Sequence, residues 1–348
     1  MDEQSKYIFR VMEEEKNRLM HSTTEPSAVL AAKITSDASK QTYYTIRTLV
    51  PREYRDDAFR AYAYFRWVDD RIDGDELTPK ERLDFVDDQK ELLAQCFENR
   101  PPRALLSEEW LLVDLTQGFL GQEPGLRIYL QDMMTLMDFD ARRRGRRISQ
   151  HEFKWYSRRL ATAVTEAVYT FIGGECGAPR TIERYLASDG AHIAHMLRDL
   201  YDDLDAGYIN IPLEVYEGET IDHEAVQSER IRQWVQEQVE TSRSYFTEGA
   251  DHLASIQNPR CRMAGAWYAA RFEGVLNAIE REGYHLRPDY SDCKGYRTLL
   301  RMAWSGLRAA MAKPKSFQRQ PDRAMLIDVP MMKQHKSSPI LAEQRGEK

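Results

Sequence analysis

The chain has 348 residues, enough for one large domain or two ordinary ones, and its 42% hydrophobic content can build a sizeable core. With 30% charged residues and a formal net charge of −7, it suits a soluble protein and excludes a general nucleic-acid binder, whose phosphate contacts need a basic surface. Cys96, Cys176, Cys261 and Cys293 are scattered and form no CxxC pair, so reduced thiols are expected rather than a zinc site or a disulfide framework.

The N-terminus lacks the basic start and apolar run of a secretion signal, and no apolar stretch reaches membrane-span length. A cytoplasmic protein, at most peripheral at a membrane, is therefore expected. Residues 1–20 read as a charged N-terminal helix, centred on Tyr7 to Met20, and residues 21–312 as a single all-α domain. Pro51 opens a long helix whose stripe Ala58, Tyr62, Phe65 and Ile72 ends near Gly74. Thr78-Pro79-Lys80-Glu81 is a capping box with proline at the first helical position. Tyr156, Leu160, Val164, Val168 and Phe171 continue a stripe from Phe153 to Gly173-Gly174. A helix from Thr181 to Asp205 should stop at Gly207, and two more should cover Ile231 to Ile256 and Arg260 to Glu282. No strand alternation, nucleotide-binding glycine loop or internal repeat is evident. Residues 313–348 are rich in Pro, Lys and Gln and read as a mobile tail.

Two acidic clusters interrupt this pattern, Asp69-Asp70-Arg71-Ile72-Asp73 and Asp199-Leu200-Tyr201-Asp202-Asp203. Each puts carboxylates at i and i+4, on one face of one helix, where like charges repel. Alone, such a run is more often a solvated helix end, and Arg198 with Asp202 could be a surface ion pair. The neighbours argue otherwise. Tyr62 and Arg66 precede the first cluster by two turns and one turn, and His195 and Arg198 share the second helix with apolar Met196, Leu197 and Leu200. Two carboxylate pairs around one cavity would suit hard divalent ions, Mg2+ above all, which takes a few carboxylates and completes its shell with phosphate oxygens.

In context, both clusters resemble the squalene/phytoene synthase family of head-to-head prenyl synthases. Tyr62-Ala63-Tyr64-Phe65-Arg66-Trp67-Val68-Asp69-Asp70-Arg71-Ile72-Asp73 is similar to the family's first motif, Tyr-Ala-x-x-Arg-x-x-Asp-[Asp/Glu]-x-x-Asp. Leu197-Arg198-Asp199-Leu200-Tyr201-Asp202-Asp203, running on through Gly207 to Pro212, is similar to the second. The Leu49-Val50-Pro51 step, the Tyr156 to Val164 segment and the helix end at Ile279 to Tyr284 keep the family order.

The resemblance implies an isoprenoid synthase-type helical bundle around a central cavity, with prenyl diphosphates as substrates. It implies Mg2+, with Mn2+ as the substitute, held by Asp69, Asp73, Asp199 and Asp203, with Asp70 and Asp202 as outer or alternative ligands. Arg66 and Arg198 would contact the diphosphate, and Tyr43, Tyr62, Tyr156 and Phe171 would wall the carbocation. Tyr156 is the candidate for carbocation steering or proton transfer, with a plain core aromatic as the alternative.

Several positions depart from the family pattern. His192 and His195 replace its Gln and Asn, and Tyr208 replaces an Arg. Lys40-Gln41-Thr42-Tyr43 replaces Ser-x-Ser-Phe, making Lys40, Thr42 and Tyr43 candidate substrate contacts, and Thr162 replaces a Gly. Arg142-Arg143-Arg144-Gly145-Arg146-Arg147 reads first as a solvated loop, and second as an attractor for diphosphate or for an anionic membrane surface. The expected activity is head-to-head condensation of two farnesyl or geranylgeranyl diphosphates to a squalene-, dehydrosqualene- or phytoene-type product, with NADPH use left open. A cyclase or transferase acting on one prenyl diphosphate is the alternative, and a non-enzymatic relative a distant third.

Overall fold

The computed structural model describes residues 26–102, 104–173, 180–218 and 220–314. Among these residues there are twelve α-helices and no strand, in agreement with the all-α expectation. They are α1 (Ser27–Ala38), α2 (Lys40–Leu49), α3 (Arg55–Asp73), α4 (Pro79–Phe97), α5 (Glu109–Gln117), α6 (Pro124–Arg143), α7 (Gln150–Val168), α8 (Glu183–Asp205), α9 (His223–Val226), α10 (Glu229–Ser255), α11 (Pro259–Arg281) and α12 (Tyr296–Met311). The expected N-terminal helix over residues 1–20 lies outside the described residues, as do Cys176 and the tail beyond residue 314.

Helix ends follow local chemistry. The Thr78 hydroxyl accepts from Glu81 N at 3.3 Å while the Glu81 carboxylate accepts from Thr78 N at 2.9 Å. Ser149 and Glu152 repeat this box and start α7, a signal the periodicity alone does not reveal. Gly207 takes φ +88°, the left-handed backbone that stops α8. Pro51 does not open the long helix directly. A 3-10 turn at Arg52–Tyr54 intervenes, and α3 begins at Arg55. The Phe153 stripe likewise leaves α-geometry before its end, because Tyr169–Gly173 winds as a π-turn.

Two apolar cores result. One, with Tyr64, Leu111, Leu112, Leu126 and Leu130 fully buried, joins α3, α5 and α6. The other, with Leu197, Leu200, Ile231, Leu276 and Ile279, joins α8, α10 and α11. Each such leucine or isoleucine contributes about 1.5–3 kcal/mol by leaving water. Glycine lets α8 and α10 touch: a Cβ at Gly190 would fall 2.8 Å from Ser242 O, and one at Gly249 2.9 Å from Ala187 N. The helix that carries the second acidic cluster is therefore clamped over its N-terminal half. Between the two cores lies the cavity.

Candidate active site

The cavity measures about 420 Å³. α3 contributes Tyr62, Phe65, Arg66, Asp69 and Asp73, which recur every three or four residues and so share one face. α8 contributes His192, His195, Met196, Asp199 and Asp203 by the same spacing. Tyr156 and Leu160 come from α7, and Tyr208 and Asn210 from the turn after α8. The remaining wall is α6, with Tyr129, Met133, Leu136, Met137, Asp140 and Arg143. Apolar side chains thus line the interior, while Asp69, Asp73, Asp199 and Asp203 all reach the same space.

The carboxylates differ in company. Burial, reinforced by the charge of Asp73, pushes Asp69 up to about 7. Burial and the charge of Asp199 do the same to Asp203, also to about 7. For Asp199, burial is outweighed by hydrogen bonds from Arg198 and His195, which hold its carboxyl well below the usual range. Each pair therefore has one carboxyl whose negative charge is incompletely compensated. That is the environment a divalent cation relieves, and an all-oxygen donor set suits a hard one. Among the described residues no three His, Cys, Asp or Glu side chains form a ready-made cage. The pairs could hold such an ion only with oxygens supplied by a ligand.

Arg143 links the walls. It is buried, with its guanidinium 5.0 Å from the ring centres of both Tyr156 and Tyr208. It donates to Asp140 Oδ1 at 2.5 Å and to Asn210 Oδ1 at 2.7 Å, and Asn210 Nδ2 donates to Asp203 Oδ2 at 2.7 Å. The Tyr156 hydroxyl donates to Asp140 Oδ2 at 2.8 Å, and burial together with the Asp140 charge raises its pKa well above that of free tyrosine. The Tyr208 hydroxyl donates to Asp73 Oδ1 at 2.5 Å, crossing from the second motif to the first.

The run Arg142 to Arg147, read as a solvated loop, is solvated only in part: Arg142 and Arg146 are exposed, Arg143 is buried, and all five arginines have partners within the protein. Arg142 pairs with Asp138 and Arg144 with Asp75, while Arg146 pairs with Glu152. Arg147 donates to the carbonyls of Pro212, Tyr216 and Gly218. Asp138 and Glu152 are local partners, whereas Asp75 and the carbonyls lie at least 65 residues away in sequence and cannot be seen from the run itself. The cation lost at Tyr208 is present nearby as Arg143, on another helix.

Other expected residues fall away from the cavity wall. Lys40 is exposed at the start of α2, Thr42 N–H caps on Ser39 Oγ at 3.2 Å, and Tyr43 stacks on Phe59 at 5.3 Å. Phe171 lies in the first core. Asp70 binds Arg66, and Asp202 is exposed. Arg198 pairs with its neighbour Asp199 instead of forming a ladder with Asp202. Its ring neighbour is Phe272, at 5.9 Å. His192 is buried in the wall, pushed down to about 3 by burial and by the nearby His195 and Arg143, and its Nε2 has no hydrogen-bond partner. It is a neutral imidazole facing an apolar space. Asp140, Arg143 and the apolar residues of α6 are the wall members that the motifs did not reveal. The only local signal was an Asp–Arg pair three residues apart, and α6 itself went unread.

The sequence matches the squalene/phytoene synthase family over residues 36–305. No curated protein sequence matches it. Among solved structures, it is similar to squalene synthase HpnC from Alicyclobacillus acidocaldarius, at 22% identity and a TM-score of 0.59, covering 75% of this chain and 95% of that one. A dehydrosqualene synthase solved with a ligand is similar at 16% identity and a TM-score of 0.63, covering 80% of this chain and 95% of that one. These likenesses show the isoprenoid synthase-type helical fold.

Proposed function

Since the chain belongs to the squalene/phytoene synthase family and is a prenyl-transferring enzyme of the head-to-head kind, we propose that it condenses two prenyl diphosphates, farnesyl or geranylgeranyl, in a Mg2+-dependent reaction that releases diphosphate. The observation that carries this reading is the meeting of two carboxylate pairs, Asp69 with Asp73 and Asp199 with Asp203, at one cavity whose interior is apolar.

Asp69, Asp73, Asp199 and Asp203 would hold the metal ions. Bound there, Mg2+ supplies Lewis-acid stabilisation of a departing diphosphate. Arg66 lines the same space and adds charge-assisted contacts to diphosphate oxygens, while Arg198 acts through Asp199, which it keeps ionised. Asn210 and the Tyr208 hydroxyl orient Asp203 and Asp73. Deeper in, Phe65, Leu136, Met137 and Leu160 exclude water from an allylic carbocation, and the ring faces of Tyr62, Tyr129 and Tyr156 stabilise its charge. The neutrality of His192 fits that task, because a charged imidazolium would repel the cation.

Incubation with farnesyl and geranylgeranyl diphosphate, with and without Mg2+ and NADPH, tests the proposal. The expected outcome is diphosphate release and a product with the carbon number of both substrates, abolished by chelation. A product with the carbon number of one substrate would convert the reading to a cyclase. No release from any chain length would overturn it.

A further inference from the structure

α12 packs one face on α11 and leaves the other uncovered by any described residue. Its inner side is fixed by Arg262, which donates to the carbonyls of Ala309, Ala310 and Ala312 at 2.9, 3.2 and 2.9 Å and so holds the helix C-terminus. At Gly306 the helix closes against the Trp267 indole, where a Cβ would fall 2.0 Å from Nε1. The orientation is therefore set, and it turns Leu300, Trp304, Leu307 and Met311 outward, 64, 70, 50 and 70% exposed. Their spacing of four, three and four residues makes one narrow stripe about 16 Å long. Scattered surface leucines need no explanation, but an aligned row including a tryptophan does.

The charge around the stripe selects its occupant. Along α12 and its exit the described cations are Arg301, Arg308 and Lys313, all exposed, and residues 296–314 include no Asp or Glu, in a protein of net charge −7. A second copy docking through the same face would set these cations against themselves. No described helix is long and apolar enough to cross a membrane. An apolar stripe with an interfacial tryptophan, on a helix whose exposed charges among the described residues are cations, suits a helix lying on an anionic bilayer surface.

We propose that the outer face of α12 docks the enzyme on anionic lipid, with Trp304 and Leu307 at the headgroup boundary and Arg308 and Lys313 contacting phosphates. The Arg142 to Arg147 run takes no part, because its side chains are held by internal partners. The proposal does not depend on which prenyl diphosphates the cavity takes.

Sedimentation of the full-length protein with vesicles tests it, using phosphatidylcholine alone and phosphatidylcholine with phosphatidylglycerol. Binding is expected to the second only and to weaken with salt. Trp304→Ser should weaken it about tenfold, and Leu300→Ser with Leu307→Ser further, since each removes one buried apolar side chain. These outward substitutions should leave the circular dichroism unchanged, and hydrogen exchange over residues 296–311 should slow on vesicle addition in the wild type alone. Wild-type binding to neither vesicle, equal binding to both, or undiminished binding by the variants would overturn the proposal. So would a dimer that Trp304→Ser dissociates without any vesicle binding, which would assign the face to a second copy.

Discussion

The α3 and α8 walls carry almost the same acidic spacing, yet they present their carboxylates differently. On α8, Asp199 is gripped by Arg198 and His195 and stays ionised, and Asp203 is oriented by Asn210. On α3, Arg66 turns mainly to Asp70, at the outer edge, and Asp69 is left with its proton affinity raised to about 7. Each wall thus has one carboxyl raised to about 7, Asp69 or Asp203. α8 grips the other, Asp199, with its own Arg and His, whereas on α3 the other, Asp73, takes a hydroxyl from Tyr208. The lesson is that motif symmetry does not imply electrostatic symmetry, because the partners come from other turns and other helices.

The largest test removes one carboxylate from each wall. Asp69→Asn and Asp199→Asn are each expected to lower diphosphate release by about 10³-fold, measured at saturating Mg2+. Near-wild-type turnover by either variant would show that one wall suffices. The link between the walls comes next. Arg143→Met strands Asp140 in a buried site and should destabilise the protein by about 3–5 kcal/mol in chemical denaturation, whereas Arg142→Ala, an exposed pair, should change stability by less than about 1 kcal/mol. Similar losses for both would return the arginine run to its surface reading.

A pH series separates the α8 wall from its surroundings. Burial holds His192 down to about 3 and His252 to about 4, both below the ordinary 6.5. Below pH 6.5 the unfolded chain therefore takes up protons at these imidazoles that the folded chain refuses. The histidines alone make stability fall as pH drops from 6.5 toward 4, by at most about 1.4 kcal/mol per unit for each. Asp69 and Asp203, raised to about 7, bind protons in the folded chain first and oppose that fall. His192→Gln removes one histidine's share, so the variant should lose less stability in acid than the wild type, and a pH dependence identical to wild type would remove His192 from the account. Smaller still, Tyr208→Phe deletes the hydroxyl bond to Asp73 and should weaken turnover by a factor set by about 1 kcal/mol. Asp70→Asn and Asp202→Asn, both at exposed positions, should fall within about 1 kcal/mol of wild type.

Much of the helical frame was legible, because apolar periodicity, capping boxes and a terminal glycine act within a few residues. Thr78 with Glu81 and Gly207 behave as local chemistry requires. Periodicity predicts none of α1, α2, α5, α6, α9 and α12, and Asp140 and the inward turn of Arg143 are lost with α6. Lys40, Thr42 and Tyr43 were assigned to the cavity by motif position, but α2 packs them at a corner formed with α3, where Tyr43 finds Phe59.

By itself, then, the sequence determined an all-helical chain with two helix faces bearing carboxylates at i and i+4, since both properties depend only on backbone period. Only the tertiary structure decided that these faces meet at one cavity, and that Arg143, read as loop charge, becomes the buried cation between Tyr156 and Tyr208. It also decided that α12 turns its apolar row outward. The physical reason is range: a helix sets its own faces over a few residues, whereas the partner that satisfies a buried charge comes from 67 residues away, as Asn210 does for Arg143.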